Sequence, residues 1–330
     1  MKFDRIGVVG GGSWGTALAL VAARAGRTVM LYARDRDAVA AINKTGQSPR
    51  LPGITLDPPL TATTGLEEVL GADAVLLVTP AQTTRKLALQ MRPFLAADTP
   101  VVLCAKGLEH GSGALLTDVL NDALPQATAA VLSGPSFASD VAQGLPTAVT
   151  IASEDAALAD NLARALASDS FRPYFSTDVI GVQIGGALKN VLAIPCGAIV
   201  GRGLGASAQA ALIARGFAEL SRLAKVMGVR TETLSGLSGL GDLVLTSSSP
   251  QSRNMAFGIE IGRGHSVAEL TGPGTKLVEG VHTAPVAVKL GKRRGVELPI
   301  CEAVAAVLED TLSVDEALQM LMSRPLKRES

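Results

Sequence analysis

Lys189 stands in a long apolar stretch, residues 179–200, and is the only charged residue there. Apolar surroundings require a lysine ammonium to face a cleft or a polar partner, because an unpaired buried charge is costly. Partial burial also lowers the pKa of an ammonium toward the range that is useful for proton transfer. With the amide of Asn190 beside it, Lys189 is the candidate acid–base residue, and a lysine on a solvated helix face is the alternative.

A second chemical signal is the G-x-G-x-x-G pattern that Gly10, Gly12 and Gly15 form. It follows the first predicted strand and opens a predicted helix over residues 14–24, which is the context in which this pattern binds dinucleotides. Glycines let the backbone approach a pyrophosphate, whose charge the helix N-terminus stabilises. The alternative is a tight strand-to-helix turn without a ligand.

The residues after the second predicted strand indicate which dinucleotide would bind. An acidic residue at this point receives the ribose 2′-hydroxyl of NAD, whereas an arginine accommodates the 2′-phosphate of NADP. The chain has Arg34 here, so NADP(H) is favoured, and Asp35 beside it leaves NAD(H) possible. Arg36 is equally well explained as part of a solvated loop.

Two loops after predicted strands are suited to hold a small ligand, because open α/β sheets bind ligands at the carboxyl ends of their strands. They are residues 104–107, with Lys106, and residues 133–136, which read Ser-Gly-Pro-Ser. An ordinary turn is the alternative for each. Farther along, residues 252–254 read Ser-Arg-Asn and supply the donors that a phosphomonoester needs, including the planar guanidinium of Arg253.

The elements that must position these residues differ between the two halves of the chain. Short β-rich runs alternate with helical segments in the first half, at residues 6–9, 29–32, 74–78, 101–104, 129–132, 148–151 and 171–175. This alternation predicts an α/β domain over residues 1–177, a Rossmann-type, doubly wound and mostly parallel sheet. Ala/Leu-rich segments then replace the strands and predict an all-α C-terminal domain over residues 178–330. Ser266 with Glu269 and Ser313 with Glu316 have the spacing of capping boxes, and Gly228 that of a helix stop.

Composition and charge exclude several classes of protein. The chain has 330 residues, 47% of them hydrophobic, and a mean hydropathy of +0.32, so it is not intrinsically disordered. Basic and acidic residues balance at 30 each and aromatics make up 3%, which leaves no face for nucleic acid. A central lysine is costly in a membrane span, so residues 179–200 are predicted to form a buried helix and no transmembrane segment is expected.

The cysteines and histidines suggest neither a disulfide framework nor a metal site. Cys104, Cys196 and Cys301 are odd in number and far apart, and the 3 histidines lack the spacing of metal ligands. We therefore expect no metal and a reducing, cytoplasmic location. The N-terminus enters a strand pattern at once, which leaves no room for a signal peptide.

The sequence resembles the bacterial NAD(P)-dependent sn-glycerol-3-phosphate dehydrogenase family over essentially the whole chain. The segments that carry the resemblance are GGGSWGTALA (10–19), CAKGLE (104–109), SGPSFA (133–138), GGALKNVLAIPCGAIVG (185–201), GLSGLGDLVLT (236–246), SRN (252–254) and VEG (278–280). The resemblance implies reduction of dihydroxyacetone phosphate to sn-glycerol 3-phosphate with NAD(P)H, in support of glycerophospholipid biosynthesis.

The resemblance also implies roles for individual residues. Lys189 is the proton-transferring residue by this likeness, and Arg253 anchors the substrate phosphate. The residues implied to line the substrate site are Lys106, Gly134, Ser136, Lys189, Asp242, Ser252, Arg253 and Asn254. Those implied to contact the cofactor, beside Gly10, Gly12 and Gly15, are Ser13, Trp14, Arg34, Lys106, Ala138, Arg253, Leu277 and Glu279.

Two other functions remain as hypotheses. A two-domain dehydrogenase for β-hydroxy acids would also place a lysine on a helix between domains, but it would hold a carboxylate rather than a phosphate. The segments at residues 252–254 and 236–242 argue against it. A binding protein that senses nucleotides without turnover predicts a degenerate reacting site, yet Lys189, Asp242 and Arg253 are all present. A homodimer is plausible because the second domain is so apolar.

Overall fold

The computed structural model describes residues 3–325, and in this part of the chain the strands form one eight-stranded sheet. The strands are β1 Arg5–Val9, β2 Thr28–Tyr32, β3 Thr61–Thr63, β4 Ala74–Leu77, β5 Pro100–Leu103, β6 Thr128–Ser133, β7 Thr147–Ala152 and β8 Phe171–Ser176. They lie in the order β3-β2-β1-β4-β5-β6-β7-β8. Neighbouring strands are parallel, except that β6 and β7 pair antiparallel.

Helices cover both faces of this sheet. They are α1 Ser13–Arg24, α2 Arg36–Thr45, α3 Leu66–Leu70, α4 Thr84–Met91, α5 Leu116–Ala123, α6 Ala138–Ala142 and α7 Ala156–Leu166. Successive side chains of a strand point to opposite faces, so each strand serves two cores. In β4, Leu76 belongs to the core that includes residues of α1 and α7, whereas Val75 and Leu77 belong to the core that includes α4 and α5. A sheet covered in this way needs the continuous apolar strands that the sequence shows.

The rest of the described chain is helical. Its helices are α8 Val179–Gly201, α9 Ala206–Val226, α10 Thr231–Ser235, α11 Asp242–Ser248, α12 Arg253–Gly262, α13 Val267–Thr271, α14 Glu279–Arg294, α15 Pro299–Leu308 and α16 Val314–Met322, with a π-helical turn at Leu237–Gly241. Both predicted capping boxes form, at the starts of α13 and α16. Gly228 follows α9 with a φ of +75°. The predicted fold class, a Rossmann-type sheet followed by helices, is confirmed.

Helix α8 is the central element of the helical part. It is long and apolar enough to cross a membrane by length and composition alone, but 83% of its most apolar window is buried inside the protein. Glycines allow α12 to approach it closely: a Cβ on Gly258 would lie 1.9 Å from the carbonyl oxygen of Ile194, and one on Gly197 would lie 2.1 Å from that of Met255. The backbones of the two helices therefore touch, which fixes the start of α12 relative to the middle of α8.

Candidate active site

A buried carboxylate between two lysines forms the centre of the site. Asp242 is 0% exposed, and its Oδ1 accepts a hydrogen bond of 2.7 Å from Lys189 Nζ. Its Oδ2 accepts one of 2.7 Å from Lys106 Nζ, which also donates to the carbonyl oxygen of Gly134 at 2.8 Å. Lys189, 7% exposed, donates a second bond of 2.7 Å to Thr246 Oγ1. Every one of these polar groups is thus satisfied, as buried polar groups must be.

The elements of both halves of the chain bring these residues together. Lys106 and Gly134 come from the loops that follow β5 and β6, so the site lies at the carboxyl ends of the strands. Helix α8 carries Lys189 to this edge, and Asp242 begins α11 directly after the π-helical turn. Small residues permit the approach, since a Cβ on Gly185 would lie 2.5 Å from the carbonyl oxygen of Ser238.

Electrostatics in the cluster favour a lysine that can exchange a proton near neutral pH. Burial lowers the pKa of Lys189 to about 8; Asp242 opposes this effect, while the positive charges of Lys106 and Arg253 add to it. Burial alone would raise the pKa of Asp242, but the two lysine ammonium groups outweigh it and hold that pKa below its ordinary value. One negative charge therefore faces several positive ones, and the site suits an anionic ligand or a developing oxyanion.

A chain of side-chain amides ties the surrounding elements to α8. Asn190 Nδ2 donates to the carbonyl oxygen of Lys106 at 2.9 Å, and Asn254 Nδ2 donates to Asn190 Oδ1 at 2.9 Å. The backbone N–H of Gly280 then donates to Asn254 Oδ1 at 2.8 Å. These bonds connect the loop after β5, α8, α12 and α14 in one network, which holds these elements together beside the lysine–aspartate cluster.

The predicted phosphate-binding segment forms the N-terminus of α12. Ser252 is its N-cap, and the Ser252 Oγ accepts a hydrogen bond from the backbone N–H of Met255 at 3.2 Å. Arg253 and Asn254 occupy the first turn, Arg253 exposed and Asn254 buried. A helix N-terminus with an exposed arginine is a favourable environment for a phosphate, because backbone N–H groups and the guanidinium donate to the same oxygens.

The glycine-rich loop has the shape that a pyrophosphate requires. Gly10 has a φ of +131°, and a Cβ on Gly15 would lie 1.7 Å from the carbonyl oxygen of Gly10, so both positions need glycine. No atom lies within 4 Å of a Cβ placed on Gly12, which faces open space at the start of α1. Ser13 and Trp14 begin that helix, and no hydrogen-bond partner is found for the buried Trp14 Nε1 in residues 3–325. The loop therefore fits a dinucleotide.

Glu279 lies where the helical part meets the sheet. It begins α14, and its Oε1 accepts a hydrogen bond of 3.3 Å from the backbone N–H of Ala81, which follows β4. Its Oε2 is buried and has no partner among the described residues. Burial raises the pKa of this carboxyl group. An unpaired carboxylate oxygen at this position can accept a hydrogen bond from a ligand amide.

The structure brings some of the predicted residues together and leaves others apart. Lys106, Gly134, Lys189 and Asp242 are directly connected, and Ser136 Oγ donates to the carbonyl oxygen of Gly134 at 3.0 Å. Elsewhere on the predicted site, Arg34 is exposed after β2, Ala138 begins α6, and Leu277 precedes α14 by two residues. No group of three or more metal-ligating side chains suited to a metal ion occurs in the part of the chain that the structure describes.

Sequence reasoning missed Thr246. Its hydroxyl oxygen accepts from Lys189 Nζ and lies 3.2 Å from Asp242 Oδ1. A usable signal was present, because Asp242 and Thr246 are four residues apart and such residues share one face of a helix.

Comparison with known proteins gives consistent matches along the chain. Residues 5–159 match the family model described as NAD-dependent glycerol-3-phosphate dehydrogenase N-terminus, and residues 178–319 match the one described as its C-terminus. A glycerol-3-phosphate dehydrogenase (NAD(P)+) from Bradyrhizobium sp. (strain ORS 278) is 57% identical over 328 residues, with 99% of each chain covered. That of Azorhizobium caulinodans is 56% identical over 329 residues, with the same coverage. The crystal structure of glycerol-3-phosphate dehydrogenase from Coxiella burnetii is 38% identical, with a TM-score of 0.92 over 98% of this chain and 99% of that one.

Proposed function

The chain belongs to the NAD-dependent glycerol-3-phosphate dehydrogenase family, and on this premise we propose how its residues carry out the reaction. It is an oxidoreductase that reduces dihydroxyacetone phosphate to sn-glycerol 3-phosphate with NAD(P)H, and its product serves glycerophospholipid biosynthesis. The observation that carries the residue assignments is the buried Lys189–Asp242–Lys106 cluster at the carboxyl ends of the strands.

Lys189 transfers the proton in this proposal. The nicotinamide cofactor, when bound, supplies the hydride to the ketone carbon. Negative charge grows on the carbonyl oxygen, where the Lys189 ammonium stabilises it and donates the proton. In the reverse direction the neutral amine accepts the proton, which a pKa lowered to about 8 makes available. Asp242 keeps the ammonium in place, and Lys106 contributes a second positive charge.

Arg253 anchors the substrate phosphate in this proposal, together with the first turn of α12. The support is the exposed guanidinium beside a helix N-terminus that Ser252 caps, and Asn254 fixes this turn to α8. Gly134 and Ser136, in the loop after β6, complete the substrate site in this proposal. Contacts made far from the reacting carbon hold it in position, and such positioning is worth several orders of magnitude in rate.

The cofactor pyrophosphate binds at Gly10, Gly12 and Gly15 in this proposal, and NADP(H) is preferred while NAD(H) is also used. The support for the preference is Arg34 at the end of β2. The remaining residues proposed to contact the cofactor are Ser13, Trp14, Lys106, Ala138, Arg253, Leu277 and Glu279.

We also propose a domain boundary between residues 177 and 178, a cytoplasmic location and a homodimer. The last strand ends at Ser176 and α8 begins at Val179, which supports the boundary. The all-helical, apolar second part supports an association of two copies.

Absorbance of the reduced nicotinamide tests the proposed function. Dihydroxyacetone phosphate should oxidise both NADPH and NADH, with the higher kcat/KM for NADPH, and a β-keto acid should oxidise neither. Turnover of the β-keto acid in preference to the phosphorylated ketone would identify the chain as a hydroxy-acid dehydrogenase. Cofactor binding without turnover of either ketone would identify a binding protein.

A further inference from the structure

Arg50 lies beside the turn that follows β2, although α2 separates the two in sequence. Its Nη2 is 3.9 Å from Asp35 Oδ2, and the Arg50 side chain is 61% exposed. An exposed ion pair at this distance contributes little free energy, so a stronger anionic ligand can displace the carboxylate. The guanidinium is thus available to a ligand at the end of β2.

The glycine-rich loop contacts the same turn. The backbone N–H of Gly10 donates to the carbonyl oxygen of Tyr32 at 3.0 Å. A Cβ on Gly11 would lie 2.4 Å from the Cβ of Ala33, the residue before Arg34. A dinucleotide whose pyrophosphate lies on this loop extends its adenosine ribose toward the end of the second strand. Arg34 lies in this turn, and Arg50 lies beside it through its 3.9 Å pair with Asp35, so both arginines are near the place where that ribose would end.

One oxygen of Asp35 is already used by a helix cap. Its Oδ1 accepts hydrogen bonds of 3.1 Å from the backbone N–H groups of Asp37 and Ala38, which makes it the N-cap of α2. Its Oδ2 faces Arg50. The acidic residue that selects NAD accepts hydrogen bonds from the ribose hydroxyl with its carboxylate. The Asp35 carboxylate uses Oδ1 for the helix cap, so only Oδ2, which lies beside Arg50, is left for such a bond.

The backbone at Arg50 is held from both sides while its side chain is largely exposed. The backbone N–H of Arg50 donates to Ser48 Oγ at 3.2 Å, and Ser48 is buried. Leu51 on the other side is buried in the core of the sheet. A fixed backbone lowers the entropy that is lost when the guanidinium binds a ligand.

We propose that Arg50 is a second specificity residue for NADP(H), which binds the 2′-phosphate together with Arg34. The inference rests on the proposed use of a nicotinamide cofactor and adds a residue to it. A guanidinium donates two parallel hydrogen bonds to a phosphate, which is a stronger arrangement than the 3.9 Å pair with Asp35. Loss of one charge-assisted contact of this kind weakens binding by about ten- to a hundredfold.

The test compares Arg50→Gln with Lys44→Gln, which removes the same charge from the far end of α2. Dissociation constants of NADPH and NADH are measured by nicotinamide fluorescence at one fixed salt concentration. We expect Arg50→Gln to weaken NADPH by at least about tenfold and NADH by less than about threefold. Lys44→Gln should leave both within about threefold. Equal losses for the two cofactors in Arg50→Gln, or an NADPH loss in Lys44→Gln as large as that in Arg50→Gln, would overturn the proposal.

A second variant, at Asp35, should strengthen the binding of NADPH rather than weaken it. Asp35→Asn keeps an oxygen for the helix cap but removes the negative charge beside the two arginines, so NADPH should bind more tightly and NADH about equally. Weaker NADH binding with unchanged NADPH binding would show that Asp35 serves the ribose hydroxyl, which contradicts the proposal.

A fragment of the cofactor separates this inference from the proposed function. Adenosine 2′,5′-bisphosphate should bind the wild-type protein more tightly than adenosine 5′-monophosphate, and Arg50→Gln should remove most of the difference. This readout needs no turnover. If it holds while dihydroxyacetone phosphate is not reduced, only the proposed function fails; if the wild-type protein does not distinguish the two fragments, the role of Arg50 is wrong.

Discussion

At the scale of single residues, Asp242 sets the charge of the reacting site. Its two carboxylate oxygens are divided between Lys189 and Lys106, so each ammonium has one short bond to the same anion. Without that anion, burial would lower the pKa of Lys189 further and favour the neutral amine. Removing one partner of a buried ion pair leaves an uncompensated charge, so these three residues must be understood together.

The phosphate anchor can be tested by one substitution and two substrates. Arg253→Ala should raise KM for dihydroxyacetone phosphate by about ten- to a hundredfold, because a charge-assisted hydrogen bond is lost. Turnover of dihydroxyacetone, which lacks the phosphate, should change much less. The measurement is steady-state kinetics on both ketones with saturating NADPH. If both substrates lose kcat/KM equally, Arg253 does not recognise the phosphate.

Sequence reasoning succeeds for single residues that stand out against their surroundings. Lys189 is conspicuous because no other charge interrupts its apolar stretch, and the glycine pattern is informative because it follows a predicted strand and opens a predicted helix. Thr246 and Asn190 are ordinary polar residues in helices, so only the structure shows that Thr246 accepts from Lys189 and that Asn190 holds the loop of Lys106. The hydrogen-bond partners of a buried charge come from segments that are far apart in sequence, so a single sequence does not show which residues they are.

At the scale of elements, the contact between α8 and α12 determines where the phosphate anchor stands. Glycines on both helices remove the side chains that would keep the backbones apart. Arg253 lies in the first turn of α12, and Lys189 lies on α8. A change in the separation of these helices therefore changes the distance between the anchor and the acid–base group.

Gly258→Ala tests this contact. The new Cβ would lie 1.9 Å from the carbonyl oxygen of Ile194, which is backbone and cannot yield as a side chain would. We expect the free energy of unfolding to fall by about 1–3 kcal/mol despite the better helix propensity of alanine, and KM for the phosphorylated ketone to rise.

Urea unfolding and steady-state kinetics provide the measurements for this substitution. Gly71→Ala is the matched control, because no atom lies within 4 Å of a Cβ there and its φ is −77°. A Gly258→Ala protein as stable as Gly71→Ala would show that the helices separate without cost.

Among elements, sequence reasoning found the long and strongly patterned ones. Buried strands such as β4 and β5 are continuous apolar runs, and the caps of α13 and α16 are readable from residue type. The three-residue strand β3 was missed, because its Thr-Ala-Thr sequence is too short for a pattern and its pairing with β2 comes from the sheet. Whether such a short segment forms a strand depends on the strand beside it in the fold, which is distant in sequence.

At the scale of the whole molecule, hydrogen bonds join the loops of the sheet to the C-terminal helices around the site. Glu279 accepts from the backbone of Ala81, Asn190 donates to the loop after β5, and Asp242 binds Lys106 from that loop. The reacting site is therefore complete only when both halves of the chain are folded against each other, and its function depends on global stability.

Glu219 gives that stability a pH dependence. It is 2% exposed on α9 and accepts from the backbone N–H groups of Ile300 and Cys301 at the start of α15. Burial raises its pKa to about 7 from an ordinary 4.5, although the two N–H groups oppose this effect. The folded chain thus binds the proton of Glu219 more tightly than the unfolded chain does. The contribution of Glu219 to the free energy of unfolding therefore falls by about 3 kcal/mol as pH rises from about 4.5 to about 7.

Glu219→Gln should remove that part of the pH dependence, because glutamine keeps an acceptor for the helix start but does not titrate. Urea unfolding at pH 5 and pH 8 measures it, with wild type as the reference for all other titrating groups. We expect the variant to lose less stability than wild type between these two pH values. Equal losses in the two proteins would mean that Glu219 stays ionised when folded.

The proton transfer assigned to Lys189 is tested most directly by the kcat of Lys189→Ala, measured beside the dissociation constant of NADPH and with added methylamine. We expect kcat to fall by about 10²–10⁴-fold, with NADPH affinity within about threefold, and methylamine to restore part of the rate by entering the space that the side chain leaves. A kcat within about tenfold of wild type, with no effect of the amine, would contradict the assignment.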